Sequence, residues 1–159
     1  GLGDVYKRQI RRGYPLSVFE TAVRNLRERG IEVIVHTILG LPGESQEDIL
    51  ATMKYLNHRD IQGIKLQLLH VLKDTDLAQE YLEGKFHVYE REEYLNLVIR
   101  GLENLDPEIV IHRMTGDGPE KLLLAPLWTG RKREVLNLLH HQMKVCDSWQ
   151  GKQFHSLPE

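Results

Sequence analysis

The residues able to do chemistry in this sequence fall into a few short clusters. The first is Gly40-Leu41-Pro42-Gly43-Glu44, where two glycines bracket a proline and neither puts a Cβ between the backbone and an approaching molecule. The second is His70-Val71-Leu72-Lys73, whose backbone leaves a strand end; His70 is either a ligand contact or a hydrogen-bonded core histidine. The third is His112 and Arg113 with Asp117 in the turn Thr115-Gly116-Asp117-Gly118-Pro119. Here the polar groups either reach a substrate or only fix a turn of phosphate size. His112 and Asp117 are also of the types used as acid and base, although their spacing does not single out that role. His36, His140 and His141 lack a second ligand at metal spacing, so no metal is assigned to this chain. Arg131-Lys132-Arg133 reads as a solvated helix start or a contact to an RNA phosphate.

These clusters need elements to hold them. Val33 to Leu39 is a run of β-branched and apolar residues, the composition of a strand buried on both faces. It breaks at Gly40, and a loop leaving the carboxyl end of a buried parallel strand is where α/β proteins bind ligands. Leu16 to Arg29 precedes it as a helix with Phe19, Ala22, Val23 and Leu26 on one face, bounded by Pro15 and Gly30. After the loop, Ser45 is an N-cap with Asp48 three positions on, and Ile49, Leu50, Met53 and Leu56 form the core face of the helix it starts. Ile61 to Leu72 reads as a second strand. The α-β-loop-α-β alternation predicts parallel strands joined by helical crossovers.

Beyond Leu72 the pattern gives a short helix to Leu82, a longer one from Glu90 to Leu105, and a third strand from Ile109 to His112. A short apolar helix around Lys121 to Leu124 and a closing helix from Arg131 to Val145 follow. The tail is expected to be loose beyond Trp149. Trp128 and Trp149 read as packing anchors rather than stacking platforms.

The chain has 159 residues, enough for one ordinary core without staples. With 21 basic and 23 acidic residues its net charge is -2, which gives no global drive toward nucleic acid. The single cysteine, Cys146, excludes an internal disulfide and a cysteine-built metal site. No apolar run approaches the about 18 residues a membrane span requires, and the expected location is the cytoplasm. Gly1 to Gln9 has no hydrophobic period and reads as an adapter-derived tail, so the native chain is expected to begin upstream.

The segment Thr37-Ile38-Leu39-Gly40-Leu41-Pro42-Gly43-Glu44 resembles the fifth-strand motif of radical S-adenosylmethionine (radical SAM) enzymes. Further pieces match a group of uncharacterised bacterial members. These are Arg12-Gly13-Tyr14 (with Arg11 and Tyr14 departing from that group's pattern), Leu69 to Thr75, His112 to Gly118, Ala125 to Trp128, and Trp149 to Lys152. The resemblance runs from about Arg11 to Lys152, and the C-terminal part is similar to Elongator-type and coproporphyrinogen-oxidase-type enzymes.

The resemblance implies an α/β fold: the second half of a partial (β/α)6 TIM-like barrel with parallel strands over residues 10–83, and a mainly helical C-terminal extension over 84–159. It implies S-adenosylmethionine and a 4Fe-4S cluster in the intact protein, an electron donor, and a 5′-deoxyadenosyl radical acting on an unknown substrate, RNA or a small molecule. The cofactor wall carried over by the motif is Ile38, Gly40, Leu41, Pro42 and Gly43, with His70, Val71 and Leu72 at its edge; His112, Arg113 and Asp117 are the residues that could reach a substrate, or they only fix the turn. The family's three cluster cysteines are not in this sequence, so the chain by itself is expected to be inactive. The strand Val33 to Leu39 is then expected to present an unpaired, association-prone edge. The competing reading is a non-enzymatic α/β module that binds a nucleotide or RNA through Gly40–Gly43 or Thr115–Gly118.

Overall fold

The computed structural model describes residues 15–116 and 118–155. The tail assigned to Gly1–Gln9, the Arg11–Tyr14 match and Asp117 lie outside the described residues. Helix α1 spans Leu16–Arg27 and leads into strand β1, Ile34–Leu39. Helix α2, Gln46–Asn57, starts on the expected cap: Ser45 Oγ accepts from the Asp48 N–H, and the Asp48 carboxylate accepts from the Ser45 N–H in return. Strand β2, Gly63–Leu68, pairs parallel with β1 in unbroken register from Ile34↔Gly63 to Leu39↔Leu68.

Strand β3 is Val71–Leu72 and helix α3 is Asp76–Leu82. Helix α4, Arg91–Glu103, returns the chain to strand β4, Val110–Arg113, which lies parallel to β2 on its far side. The sheet order is therefore β1-β2-β4, and β1 is an edge among the described residues. Strand β5, Leu123–Ala125, pairs antiparallel with β3, a 3-10 turn covers Leu127–Gly130, and helix α5 is Lys132–Val145.

One face of the parallel sheet is covered. Ile64, Leu66 and Leu68 of β2 meet Ile49, Met53 and Leu56 of α2, the α4 stripe from Tyr94 to Leu102, and Val135 and Leu139 of α5. Each such side chain, fully buried, contributes about 1.5–3 kcal/mol relative to exposure. A smaller cluster of Val71, Ala78, Val88 and Ala125 sits under the two-stranded sheet.

Five expectations are corrected. β1 is not buried on both faces: Ile34 and Ile38 are 42% and 41% exposed, because helices cover only the side carrying Val33 and Val35. The single strand from Ile61 to Leu72 splits after Leu68. The Leu69 N–H still donates to the Leu39 carbonyl, but Val71 then enters the second sheet. The apolar run near Lys121–Leu124 is not a helix but leads into β5. One turn is too short to support itself, and β3 offers a ready ladder.

The tail is not loose at Trp149. The Gly151 and Gln153 N–H groups donate to the carbonyls of Leu102 and Glu103, and the Gln150 amide donates to those of Asp106 and Ile109. Trp149 itself is 53% exposed with Lys152 Nζ 5.0 Å above its ring, so it does not anchor the core. Trp128 does pack, against Tyr94 at 5.5 Å between ring centres.

Candidate functional site

The carboxyl ends of β1, β2 and β4 open on one side of the sheet, and the candidate residues divide according to their distance from that end. Gly40 (φ +80°) and Gly43 (φ +78°) both adopt the left-handed conformation that disfavours a Cβ, which turns the chain back toward α2. Glu44 closes this loop on itself. Its Oε2 accepts from the Gly40 N–H at 2.9 Å and the Leu41 N–H at 3.2 Å, while its own N–H donates to the Leu41 carbonyl. Those two amides are therefore committed to Glu44. Leu41 is 7% exposed and forms part of the floor of the loop.

The space that Gly40 leaves is taken by a side chain from elsewhere. A Cβ there would stand 2.8 Å from the Tyr89 ring. Tyr89 is in turn fixed through its carbonyl, which accepts from Trp128 Nε1 at 3.1 Å. Neither residue is visible as a site residue in the sequence, since Tyr89 lies between elements and carries no periodicity.

The second and third clusters meet. The His70 ring lies against both glycines of the 115–118 turn: a Cβ on Gly116 or Gly118 would approach it to 2.7 Å. Gln67 also touches Gly116, and its Oε1 lies 2.8 Å from His36 Nε2. The strand before the turn is held by Tyr94, whose buried hydroxyl donates to the Met114 carbonyl at 2.8 Å. Burial pushes the Tyr94 phenol well above its ordinary range. Thr115 is buried at 3% exposure, and its Oγ1 has no hydrogen-bond partner among the described residues.

Other candidates lie away from this end. Val71 is fully buried in the smaller core and Leu72 pairs with Leu123, so neither side chain joins Ile38 at the strand mouth. His112 lies against Gly63, the first residue of β2: a Cβ on Gly63 would come within 2.6 Å of its ring. At about 3.3 Å per residue, that is more than 10 Å from the carboxyl end. Arg113 pairs in register with Lys65. The alternation of Lys65 and Gln67 with apolar neighbours in Gly63–Leu68 was the available signal that β2 presents a polar face.

The described residues offer no group of three His, Cys, Asp or Glu side chains placed to hold a metal ion, and Cys146 is exposed at the end of α5. This donor set does not fit an iron–sulfur cluster, and no step is derived through one. An adenosyl group fits better. Ile38 presents an exposed apolar surface at the strand end, directly beside the braced Gly40–Glu44 loop, as a flat aromatic ring requires.

Parallel strands alternating with helices, and glycine loops at their carboxyl ends, define part of a TIM-like α/β enzyme barrel. The family model of the Radical SAM superfamily matches residues 1–56, and that of the Radical_SAM C-terminal domain matches residues 61–145. The chain belongs to the radical SAM superfamily.

It is 38% identical over 162 residues to the uncharacterized protein YtqA of Bacillus subtilis, covering 100% of this chain and 50% of the relative. It is 30% identical to the tRNA uridine(34) acetyltransferase of Dehalococcoides mccartyi, covering 90% of this chain and 32% of that protein. Among solved structures, the archaeal Methanocaldococcus infernus Elp3 with an N-terminal deletion superposes with a TM-score of 0.76 at 17% identity, over 94% of this chain and 35% of the other. The chain thus spans half the length of YtqA and about a third of the other two. No helix among the described residues is long and apolar enough to cross a membrane.

Proposed function

We propose that this chain supplies the adenosyl-facing half of a radical SAM enzyme, with residues 10–83 as the second half of its barrel and 84–159 as the C-terminal extension. The observation that carries this reading is the braced loop beside an exposed apolar strand end: Glu44 holds Gly40 and Leu41, and Ile38 stands uncovered next to them. In this reading Ile38 packs on the adenine ring, while Gly40, Leu41, Pro42 and Gly43 give it a wall and exclude water. The backbone of His70 to Leu72 closes its edge. Bound S-adenosylmethionine would supply the radical chemistry of the intact enzyme, and this chain's residues would bind and orient its adenosyl end.

Cluster cysteines are then supplied from outside these 159 residues, whose single cysteine is Cys146. The chain alone is then inactive. RNA is the proposed substrate class, supported by the printed activity of the Dehalococcoides relative. It is also supported by an open groove of about 780 Å³ whose lining includes Arg131, Lys132, Arg133, Asn137 and His141, with Glu134 as its one acidic residue.

Calorimetric titration with S-adenosylhomocysteine tests the reading. The 159-residue chain should bind it, and Ile38→Glu should abolish binding without unfolding the chain. Equal affinity in Ile38→Glu rejects the adenosyl wall. Anaerobic reconstitution with iron and sulfide should leave the chain without a 4Fe-4S spectrum. A loaded preparation that cleaves S-adenosylmethionine would overturn the proposed division of labour.

A further inference from the structure

The face of the parallel sheet that the helices leave open is layered by charge. Nearest the amino ends of the strands, Ile34, Gly63 and Val110 stand in one row. The next row is His36, Lys65 and Arg113, where Arg113 comes opposite Lys65 after a register shift that skips His112. Above it, at the carboxyl end, stand Ile38 and Gln67. His36 and Gln67 share this face, because their side chains meet at 2.8 Å, and Lys65 lies two residues before Gln67 on the same side. His112 joins them, since its ring rests on Gly63.

The open face therefore carries His36 and Lys65 in its middle row, with the His112 ring over Gly63 in the row below, and none of the three strands contains an aspartate or glutamate. Among the described residues, no carboxylate lies within ion-pair distance of Lys65, His36 or His112. Arg113, across from Lys65, has an interaction of its own, so the charge on this face without an acidic partner is that of Lys65. Elsewhere on this molecule, basic side chains take acidic partners: Arg27 with Asp60, Arg59 with Glu20, and Arg91 with Glu134.

We infer that the open face between Gly63 and Lys65 is a subsite for an oxyanion of the substrate, a phosphate or a carboxylate, held by Lys65 with His36 and His112. This deepens the proposed function, since it places the anion below Ile38 and therefore in the lumen under the adenosyl wall. Lys65 supplies the positive charge, His112 an N–H donor, and His36, whose Nε2 faces Gln67 Oε1, presents Nδ1, a donor in the imidazolium form. Charge-assisted bonds of this kind lose about tenfold or more in affinity when one partner is removed.

The test titrates the 159-residue chain with inorganic phosphate, and separately with sodium acetate, following the imidazole NMR signals of His36, His112 and the exposed His140 of α5. Binding should shift His36 and His112 at concentrations that leave His140 unmoved. A phosphate-only response assigns the subsite to a phosphate group, and an acetate-only response to a carboxylate; either supports the inference. Lys65→Gln should weaken the response at least about tenfold; Lys65→Arg should retain it, and so should the remote variant Lys85→Gln, on the exposed Lys85–Glu83 pair.

Should Lys65→Gln fail to fold, His36→Gln with His112 as reporter gives the same reading. Shifts of His36 and His112 no larger than that of His140 overturn the inference, as does an undiminished response in folded Lys65→Gln. An oxyanion response in a chain that does not bind S-adenosylhomocysteine rejects the adenosyl wall and leaves this subsite standing. Adenosyl binding with no oxyanion response does the reverse.

Discussion

Tyr89 fills the space that the missing side chain of Gly40 leaves: a Cβ at Gly40 would stand 2.8 Å from Tyr89 Cδ2 and 3.0 Å from Cε2. The glycine thus answers two demands at once, a φ of +80° and the close seat of an aromatic ring from a distant loop. Gly40→Ala should destabilise the chain by about 1–3 kcal/mol, from the positive φ and the displaced ring. Pairing it with Tyr89→Ala should remove the steric part and leave the conformational part. A double-mutant cycle in urea checks this, and strict additivity would show that the contact carries no coupling.

Glu44 should matter more than an ordinary helix-start acid, because its carboxylate accepts from two backbone amides of the loop. Glu44→Ala is expected to cost about 1–3 kcal/mol and to weaken S-adenosylhomocysteine binding by freeing the loop. Glu44→Gln retains an acceptor oxygen and should recover a large share of both. Equal stability of wild type and Glu44→Ala in urea melts would refute the bracing role.

Tyr94 gives a pH prediction. Burial raises its phenol above the ordinary value of 10.0, so the folded chain keeps a proton that the unfolded chain releases first. The stability tied to that proton is complete below about pH 10 and is lost as pH rises further. Tyr94→Phe should remove this alkaline loss. It should also cost about 1–3 kcal/mol at neutral pH, because the Met114 carbonyl loses its donor. Urea midpoints measured from neutral to alkaline pH check both effects.

Gly116→Ala should disturb His70, since the new Cβ would lie 2.7 Å from the imidazole and 2.9 Å from Gln67 Cγ. The expected outcome is a shifted His70 ring signal and a weakened His36–Gln67 contact, with β1 and β2 amides otherwise unchanged. A His70 resonance identical to wild type would show that the turn and the imidazole are not in contact in solution.

The parallel alternation, the Ser45 cap, the Gly40–Gly43 turn and the family resemblance were all legible in the residues. Each rests on neighbours in the sequence: apolar spacing, a capping side chain and its partner three positions on, or glycines at a sharp turn. The split of the run from Ile61 to Leu72 was not legible, because a continuous apolar stretch does not report which partner each half pairs with. Val71 left the parallel sheet because Leu123 to Ala125 lay across the fold to receive it. The open face of β1 was hidden for the same reason: Ile34 and Ile38 are as apolar as Val33 and Val35, and only the placement of the helices decides which side is covered.

Sequence by itself determined that this chain is a radical SAM α/β unit with a glycine-bracketed loop at a strand end, because those signals are local and chemical. Tertiary structure alone decided that Tyr89 seats in Gly40, that the 115–118 turn closes on His70, and that His36, Lys65 and Arg113 share one row. Those contacts join residues far apart in the chain, and register and packing set them rather than the preference of any residue for its own neighbours.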